Sequence, residues 1–73
     1  MEIFKLKKDE DYIELNNLLK TLNWVASGGE AKALIQEGNV MVNNEIETRV
    51  RKKMRVGDTV KLYEYEAQVK APN

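Results

Sequence analysis

The sequence predicts an α+β fold in which two short packed helices are followed by a small, mostly antiparallel β-sheet. Three patterns indicate this fold: a leucine stripe with helical spacing near the N-terminus, a second segment that begins with a helix-capping residue and ends at a glycine, and short alternating apolar segments after that glycine. At 73 residues the chain has the length of one small domain. We therefore predict a single domain over residues 1–73, with its core at about residues 12–70.

The first predicted elements are a short strand and a helix. Glu2–Leu6 alternates loosely, which favours a strand or an extended lead-in, and Lys7–Glu10 is a polar linker. The helix is indicated by leucines at positions i, i+3, i+4 and i+7 of one face, namely Leu15, Leu18, Leu19 and Leu22. Asp11 and Glu14 have the spacing of a capping box, so we predict the helix from Tyr12 to Leu22.

The second predicted helix begins at Ser27 and ends at Gly38. The Ser27 hydroxyl can accept a hydrogen bond from the Glu30 amide, and the Glu30 carboxylate can accept one from the Ser27 amide, which is the arrangement of a capping box. Gly38 suits the positive φ that often closes a helix. At about 100° per residue, the buried face comprises Ala31, Leu34 and Ile35, and the polar face comprises Gly29, Lys32 and Gln36.

The joint between the two helices contains the single tryptophan of the chain. Asn23 is expected to end the first helix, and Trp24 with Val25 is expected to cover the joint with apolar surface. Packing in the core is the favoured interpretation for Trp24, and stacking on a nucleic-acid base is the alternative.

The second half of the chain predicts a β-hairpin and two further strands. The hairpin strands flank Asn43 and Asn44, which tolerate the positive φ values of a two-residue turn. Its buried face is expected to carry Val40, Val42 and Ile46. The later predictions are a strand over Thr59–Tyr63 with Val60 and Leu62 inward, a turn at Glu64–Glu66, a last strand at Ala67–Lys70 and a frayed end at Ala71–Asn73.

The chain has no net charge, but its charges are separated. Residues 48–61, which we call the basic segment, contain six basic residues and one acidic residue, a local charge of +5. The residues before the segment sum to −4 and those after it to −1. Because salt screens charges over about 8 Å at physiological ionic strength, a polyanion at the basic segment would feel little of a distant acidic face. Val50, Met54 and Val56 interrupt the basic residues and are expected to anchor the segment on the core.

The start of the second helix is a candidate anion site. The first amides of a helix point outward and its positive dipole end favours an anion such as phosphate, and Gly28 and Gly29 leave this backbone accessible. The alternative is that the two glycines only permit a tight turn and that Lys32, on the exposed face, is only solvated. The basic segment downstream favours the anion site.

The residue types argue against an enzyme. The chain contains no cysteine and no histidine, so it lacks a thiol nucleophile, the usual zinc ligands and the usual general base near neutral pH. No glycine-rich phosphate loop of the nucleotide-binding type is present. We predict no catalytic residue, metal or cofactor. No apolar run approaches the ~20 residues that cross a bilayer, and the N-terminus lacks the apolar region of a signal peptide, so we expect a cytoplasmic protein.

The order of these elements, together with three segments, resembles the S4 RNA-binding domain. The segments are Ser27–Lys32, Val40–Glu45 and Thr48–Lys53, and they are similar to those of small bacterial stand-alone S4-like proteins. The similarity extends over about residues 13–69. It implies an S4-like fold with an αL motif, in which RNA is held by the start of the second helix, the hairpin and the loop after it. Carried over by motif position, the RNA-binding residues are Ser27, Gly28, Gly29, Lys32, Asn43, Arg49, Arg51, Lys52 and Lys53.

One position departs from the family pattern. Many S4 domains have an arginine where this chain has Gly28, whereas the later basic position is retained as Lys32. The resemblance implies a monomer that docks on structured RNA, with ribosomal RNA or a ribonucleoprotein as the target and with no small-molecule substrate. The alternative is a protein-interaction module whose basic segment binds an acidic partner, which the zero net charge and Gly28 favour.

Overall fold

The computed structural model describes residues 1–72, and the predicted frayed end reaches Asn73, which lies outside this range. Helix α1 spans Leu15–Thr21 and helix α2 spans Gly28–Gln36. Neither these helices nor any other part of residues 1–72 forms a helix that could span a bilayer. The strands are β1 (Glu2–Lys5), β2 (Ile13–Glu14), β3 (Val40–Val42), β4 (Glu45–Ile46), β5 (Lys53–Met54), β6 (Thr59–Leu62) and β7 (Tyr65–Lys70).

Five strands form one sheet in the order β1-β7-β6-β3-β4. Strand β1 runs parallel to β7, and the other neighbours are antiparallel. The two shortest strands near α1, β2 and β5, pair with each other as a separate antiparallel ribbon. The predicted α+β fold with a mostly antiparallel sheet is confirmed.

The helices and the inner face of the sheet share one hydrophobic core. Alternation along β6 and β7 directs every second side chain inward, as predicted for Val60 and Leu62. The side chains with no more than 1% exposure include Leu15, Leu18, Leu19, Ala31, Ile35, Val40, Met54, Val60, Leu62, Ala67 and Val69. Trp24 packs against this core, which confirms its favoured interpretation, and its ring also stacks on Tyr65 with 5.6 Å between ring centroids.

Helix α1 begins three residues later than predicted. Ile13 and Glu14 form β2 and pair with Met54 and Lys53 of β5, so this part of the chain is extended. The helix ends as expected, because Asn23 adopts the left-handed conformation with φ of 60°. The difference at the start arises from pairing with a segment some 40 residues away in sequence, which local propensity does not encode.

The predicted capping box of α1 is wrong for the same reason. Glu14 is the N-cap residue, and its side chain makes no capping hydrogen bond. Instead, the Leu15 amide donates to the Lys52 carbonyl at 2.8 Å and the Asn16 amide donates to the Val50 carbonyl at 3.1 Å. The backbone of the basic segment therefore satisfies helix-start amides that would otherwise lack partners.

Helix α2 has the predicted cap in a modified form. The Ser27 hydroxyl accepts a hydrogen bond from the Glu30 amide at 3.1 Å, as expected. The Glu30 carboxylate reaches one residue further back than predicted and accepts from the Ala26 amide at 2.6 Å. Gly38 has a φ of 83°, which confirms its role in closing the helix.

The predicted hairpin forms, but one of its residues lies on the other face. Asn43 and Asn44 have φ values of 52° and 68° and make the two-residue turn between β3 and β4. Ile46 is paired with Met41 and is 66% exposed, so its assignment to the buried face is wrong. A two-residue turn places residue 46 opposite residue 41, and both therefore share the outer face.

The last turn begins one residue earlier than predicted, and the last strand begins two residues earlier. Strand β7 begins at Tyr65, which pairs with Leu62, so the turn consists of Tyr63 and Glu64. Tyr63 adopts a φ of 56° there, a conformation that is uncommon for a bulky residue and that sequence gives little reason to expect.

Candidate nucleic-acid interface

The basic segment is fixed to the rest of the molecule by its backbone and by two apolar side chains. Met54 has 0% exposure and Val50 packs against the core, as predicted. Val56 is 54% exposed, so its predicted anchoring role is wrong. The segment also holds the start of α1 through the carbonyls of Val50 and Lys52. Its charged side chains therefore extend from a positioned backbone and not from a free loop.

Five of the six cations of the basic segment line one open depression. We call this surface the basic depression, and its lining residues are Arg49, Arg51, Lys52, Lys53, Arg55 and Asp58. Four of these belong to the predicted RNA-binding set, and Arg55 is added by the structure. Lys61, the remaining cation of the basic segment, lies elsewhere: it lines a depression on the outer sheet face with Met41 and Ile46.

Arg49 differs from its neighbours because Glu47 pairs with it. The Arg49 Nε donates to Glu47 Oε2 at 2.9 Å and the Nη2 donates to Oε1 at 3.0 Å. These bonds from the guanidinium lower the pKa of Glu47 from 4.5 to about 2 and raise the pKa of Arg49. The Arg49 side chain is 71% exposed, and its second terminal nitrogen is left for another acceptor. Arg49 thus has a set orientation but a partly neutralised charge.

The other four cations of the basic depression form no ion pair among residues 1–72, although the Asp58 carboxylate lines the same depression. Within the described part of the chain, none of them has a carboxylate within 4.0 Å: Arg51, Lys52, Lys53 and Arg55. Lys53 and Arg55 lie instead over the ring of Tyr12, with the Lys53 Nζ at 5.1 Å and the Arg55 Cζ at 5.4 Å from its centroid. The depression therefore concentrates positive charge that is available to an anion.

Asn43 connects the hairpin turn to the end of the basic segment. Its side-chain amide donates to the Asp58 carboxylate at 3.0 Å, and its side-chain carbonyl accepts from the Thr59 amide at 3.0 Å. The second Asp58 oxygen accepts from the Arg55 amide at 2.8 Å. Both polar atoms of the Asn43 side chain are therefore engaged within the protein, and the geometry gives Asn43 a structural role at the border of the basic depression.

The start of α2 is open but carries its own carboxylate. Ser27 and Gly29 are exposed and Gly28 is partly buried, while Lys32 is exposed one turn into the helix. The Glu30 carboxylate bonds to the backbone just before the helix, where it already offsets the positive end of the dipole. This end of α2 is therefore a weaker anion site than its glycines alone suggest.

Comparison with known proteins assigns the family. The model of a family described as S4 domain matches residues 4–70. This chain belongs to the S4 domain family. A protein of Escherichia coli K12 named "Putative RNA-binding protein YbcJ" is 42% identical over 71 residues, which are 97% of this chain and 100% of YbcJ. A Bacillus subtilis protein named "Probable ribosome maturation protein RlbA" is 39% identical over 54 residues, 74% of this chain and 76% of RlbA.

A solved structure supports the same assignment. The solution structure of YbcJ from E. coli, described as revealing an αL motif involved in RNA binding, matches with a TM-score of 0.74 and 42% identity. The match covers 97% of this chain and 89% of YbcJ. The S4-like fold with the αL motif, which the sequence resemblance implied, is confirmed.

Helix α1 links the two groups of predicted site residues in this S4 domain. Its first amides bond to the basic segment, and near its other end the Lys20 side chain lies beside Gly28, with its Cδ 3.9 Å from the position of a Cβ on that glycine. At a rise of 1.5 Å per residue, the two ends of α1 are roughly 9 Å apart. The basic depression and the start of α2 thus lie at opposite ends of one short helix.

Three residues of this surface were not in the predicted set. They are Lys20, Arg55, which is one of the six basic residues of the basic segment, and Tyr12, the first residue of the predicted first helix. A signal for Arg55 was present, because Lys53 and Arg55 alternate around buried Met54 and must project to the same side of a strand. The contact of Tyr12 depends on the pairing of β2 with β5, which has no local sequence signal.

Proposed function

We propose that this S4 domain is a non-catalytic RNA-binding protein that docks on structured RNA through the basic depression and the start of α2. The observation that carries the proposal is the set of four cations that have no ion-pair partner among residues 1–72 and lie on a backbone fixed to the core. A polyanion binds such a surface by displacing its own counterions, and the fixed backbone reduces the entropy lost on binding.

In this proposal the two groups of residues have different roles. Arg51, Lys52 and Lys53 contact phosphates directly, and Arg49 contributes the donors that Glu47 leaves open. The remaining predicted residues, Ser27, Gly28, Gly29, Lys32 and Asn43, position the RNA or the surface that binds it. Phosphate contacts carry no sequence information, so the protein recognises its target by the shape of the RNA. A-form helices with junctions or loops suit such a surface.

The target we propose is ribosomal RNA or a ribonucleoprotein particle, with the protein acting as a cytoplasmic monomer. The name of RlbA refers to ribosome maturation, and that of YbcJ refers to RNA binding. A single module of 73 residues offers a small contact surface, so we expect it to work beside other components of such a particle.

Charge reversal tests the proposal. The double substitution Arg51→Glu and Lys52→Glu changes the charge by four units within the basic depression, and Lys7→Glu with Lys8→Glu makes the same change on exposed residues of the N-terminal linker. We expect the first variant to lose at least a hundredfold in affinity for fluorescently labelled fragments of ribosomal RNA, and the second to lose less than fivefold. Circular dichroism checks that both variants fold. Equal affinities for the two variants would refute the proposed surface.

A ribonuclease control separates RNA binding from protein binding. Partners that co-purify with the protein from a bacterial lysate should be lost when the lysate is treated with ribonuclease. Partners that survive the treatment, and that the Arg51→Glu, Lys52→Glu variant fails to retain, would favour the acidic protein partner instead.

A further inference from the structure

Tyr12 lies at the border between two depressions of opposite charge. On one side, Lys53 and Arg55 line the basic depression and lie over the Tyr12 ring. On the other side, Tyr12 itself lines an acidic depression, whose other lining residues are Asp9, Glu10, Asp11, Ile13, Glu14 and Asn17. A single aromatic side chain thus separates a surface that attracts a polyanion from one that repels it.

The pairing of β2 with β5 brings Tyr12, Lys53 and Arg55 close together. Ile13 of β2 is paired with buried Met54 of β5, so the residue before Ile13 lies across from the residue after Met54. Tyr12 therefore lies opposite Arg55. Lys53 and Arg55 flank Met54 and project to the same side of the chain, away from the core. Tyr12 and Arg55 each lie one residue beyond the paired strands, and the contact between their side chains agrees with this register.

The aromatic contact differs from an ion pair in its effect on charge. Arg49 shares its charge with Glu47, whereas Lys53 and Arg55 have no carboxylate within 4.0 Å among residues 1–72, although Tyr12 also borders four carboxylates. A ring face attracts a cation without neutralising it. Tyr12 thus restricts where the two cations lie and leaves their charge available to a ligand.

We propose that Tyr12 is a positioning residue that holds Lys53 and Arg55 as a grip for one phosphodiester group of RNA. This inference rests on the proposed function and deepens it. The acidic depression beyond Tyr12 repels the next phosphate, so the RNA backbone turns away from the protein at this point. Two long side chains that are already restrained lose less conformational entropy when they bind a phosphate.

Substitutions at Tyr12 test the grip. Tyr12→Phe keeps the ring, and Tyr12→Leu removes it while retaining apolar bulk. The ring restrains the two side chains only in part, and recovering about half of their ordering cost corresponds to an affinity gain of roughly threefold to tenfold. We therefore expect Tyr12→Leu to bind labelled ribosomal RNA fragments threefold to tenfold more weakly than the native protein, and Tyr12→Phe to bind within twofold of it. Tyr12 is 37% exposed, and thermal unfolding checks that both variants remain folded.

A double-mutant cycle distinguishes positioning from general stability. In a chain that already carries Lys53→Ala and Arg55→Ala, Tyr12→Leu should cause no further loss of affinity, because the cations that it positions are absent. A repeated threefold to tenfold loss in that background would overturn the inference. Loss of affinity by Tyr12→Phe equal to that by Tyr12→Leu would overturn it as well, since the hydroxyl and not the ring would then be responsible.

The failure of this inference is distinguishable from the failure of the proposed function. If Tyr12→Leu binds like the native protein while Arg51→Glu, Lys52→Glu does not bind, the basic depression stands and the grip is refuted. If the native protein does not bind RNA, both are refuted. A second non-aromatic variant, Tyr12→Gln, gives the same comparison if Tyr12→Leu does not fold.

Discussion

The basic depression and the start of α2 present positive charge in different ways. The depression has four cations that form no ion pair with a carboxylate of residues 1–72, and they are held on a backbone that bonds to α1. The start of α2 has a helix dipole, an exposed Lys32 and no arginine at Gly28, and the Glu30 carboxylate lies at the same end. Binding strength is therefore expected mainly from the depression, whereas the start of α2 contributes position. The two regions thus differ both in the number of their cations and in how far nearby carboxylates neutralise them.

Truncating Met54, which anchors the basic segment on the core, should reduce the stability of the protein more than any other substitution discussed below. Met54 has 0% exposure, and Met54→Ala leaves a cavity beneath the backbone that carries the Lys53 and Arg55 side chains. We expect the free energy of unfolding to fall by about 2–5 kcal/mol, measured by urea denaturation. Val56→Ala, at an exposed position of the same segment, is the control and should change it by less than about 0.5 kcal/mol. Similar losses in both variants would contradict the anchoring by Met54.

The hairpin turn supports the border of the depression, and its loss should have a smaller effect. Asn43→Ala removes hydrogen bonds to Asp58 and Thr59, so we expect stability to fall by roughly 1–2 kcal/mol, measured in the same way. RNA affinity should fall less than it does for Arg51→Ala, because both polar atoms of the Asn43 side chain already bond within the protein and the side chain carries no charge. Asn44→Ala, in the same turn, is the matched variant. If Asn43→Ala weakens RNA binding as strongly as Arg51→Ala without loss of stability, direct contact with RNA is the better explanation.

Adding a cation at the start of α2 should increase the contribution of this region to RNA affinity and bring it closer to that of the basic depression. A Cβ at Gly28 would have Lys20 Cδ as its nearest neighbour at 3.9 Å, and Gly28 does not have positive φ, so a side chain can start there without strain. We expect Gly28→Arg to bind ribosomal RNA fragments about threefold to tenfold more tightly than the native protein, through one additional phosphate contact. Gly28→Gln is the uncharged control. Equal affinities for the two variants would indicate that RNA does not reach the start of α2.

Substitution in the ion pair of Glu47 and Arg49 should have the smallest effect. Glu47→Gln removes the neutralising charge, so we expect RNA affinity to rise about twofold to fivefold and stability at neutral pH to fall by up to about 1 kcal/mol. Because folding lowers the pKa of Glu47, its contribution to stability is present above about pH 4.5 and is lost as the pH falls toward 2. Urea denaturation of both proteins across this range should show their difference vanish at the acidic end. A difference that stays constant with pH would contradict the ion pair as its cause.

The sequence predicted most of the fold because its patterns are local. Leucines at helical spacing, the Ser27 cap, Gly38 and the paired asparagines each determine a structure within a few residues. The errors lie where distant segments pair. The start of α1 depends on carbonyls of the basic segment, and the exposure of Ile46 depends on the register with Met41.

The candidate site was predictable as a set of charges but not as an arrangement. Arg49, Arg51, Lys52 and Lys53, which the family resemblance selected, line one depression. The sequence did not indicate that Glu47 would pair with Arg49, that Asn43 would bond to Asp58, or that Lys53 and Arg55 would lie over Tyr12. These contacts determine which charges remain available, and each depends on side-chain geometry or on strand pairing.

The salt dependence of RNA binding tests the central claim most directly. The association constant for labelled ribosomal RNA fragments should be measured by fluorescence anisotropy between about 50 and 300 mM KCl, a range that includes the physiological ionic strength. If about four cations each neutralise one phosphate, log K should fall with log salt at a slope of about −3 to −4. A slope near zero would show that the cations of the basic depression do not hold the RNA.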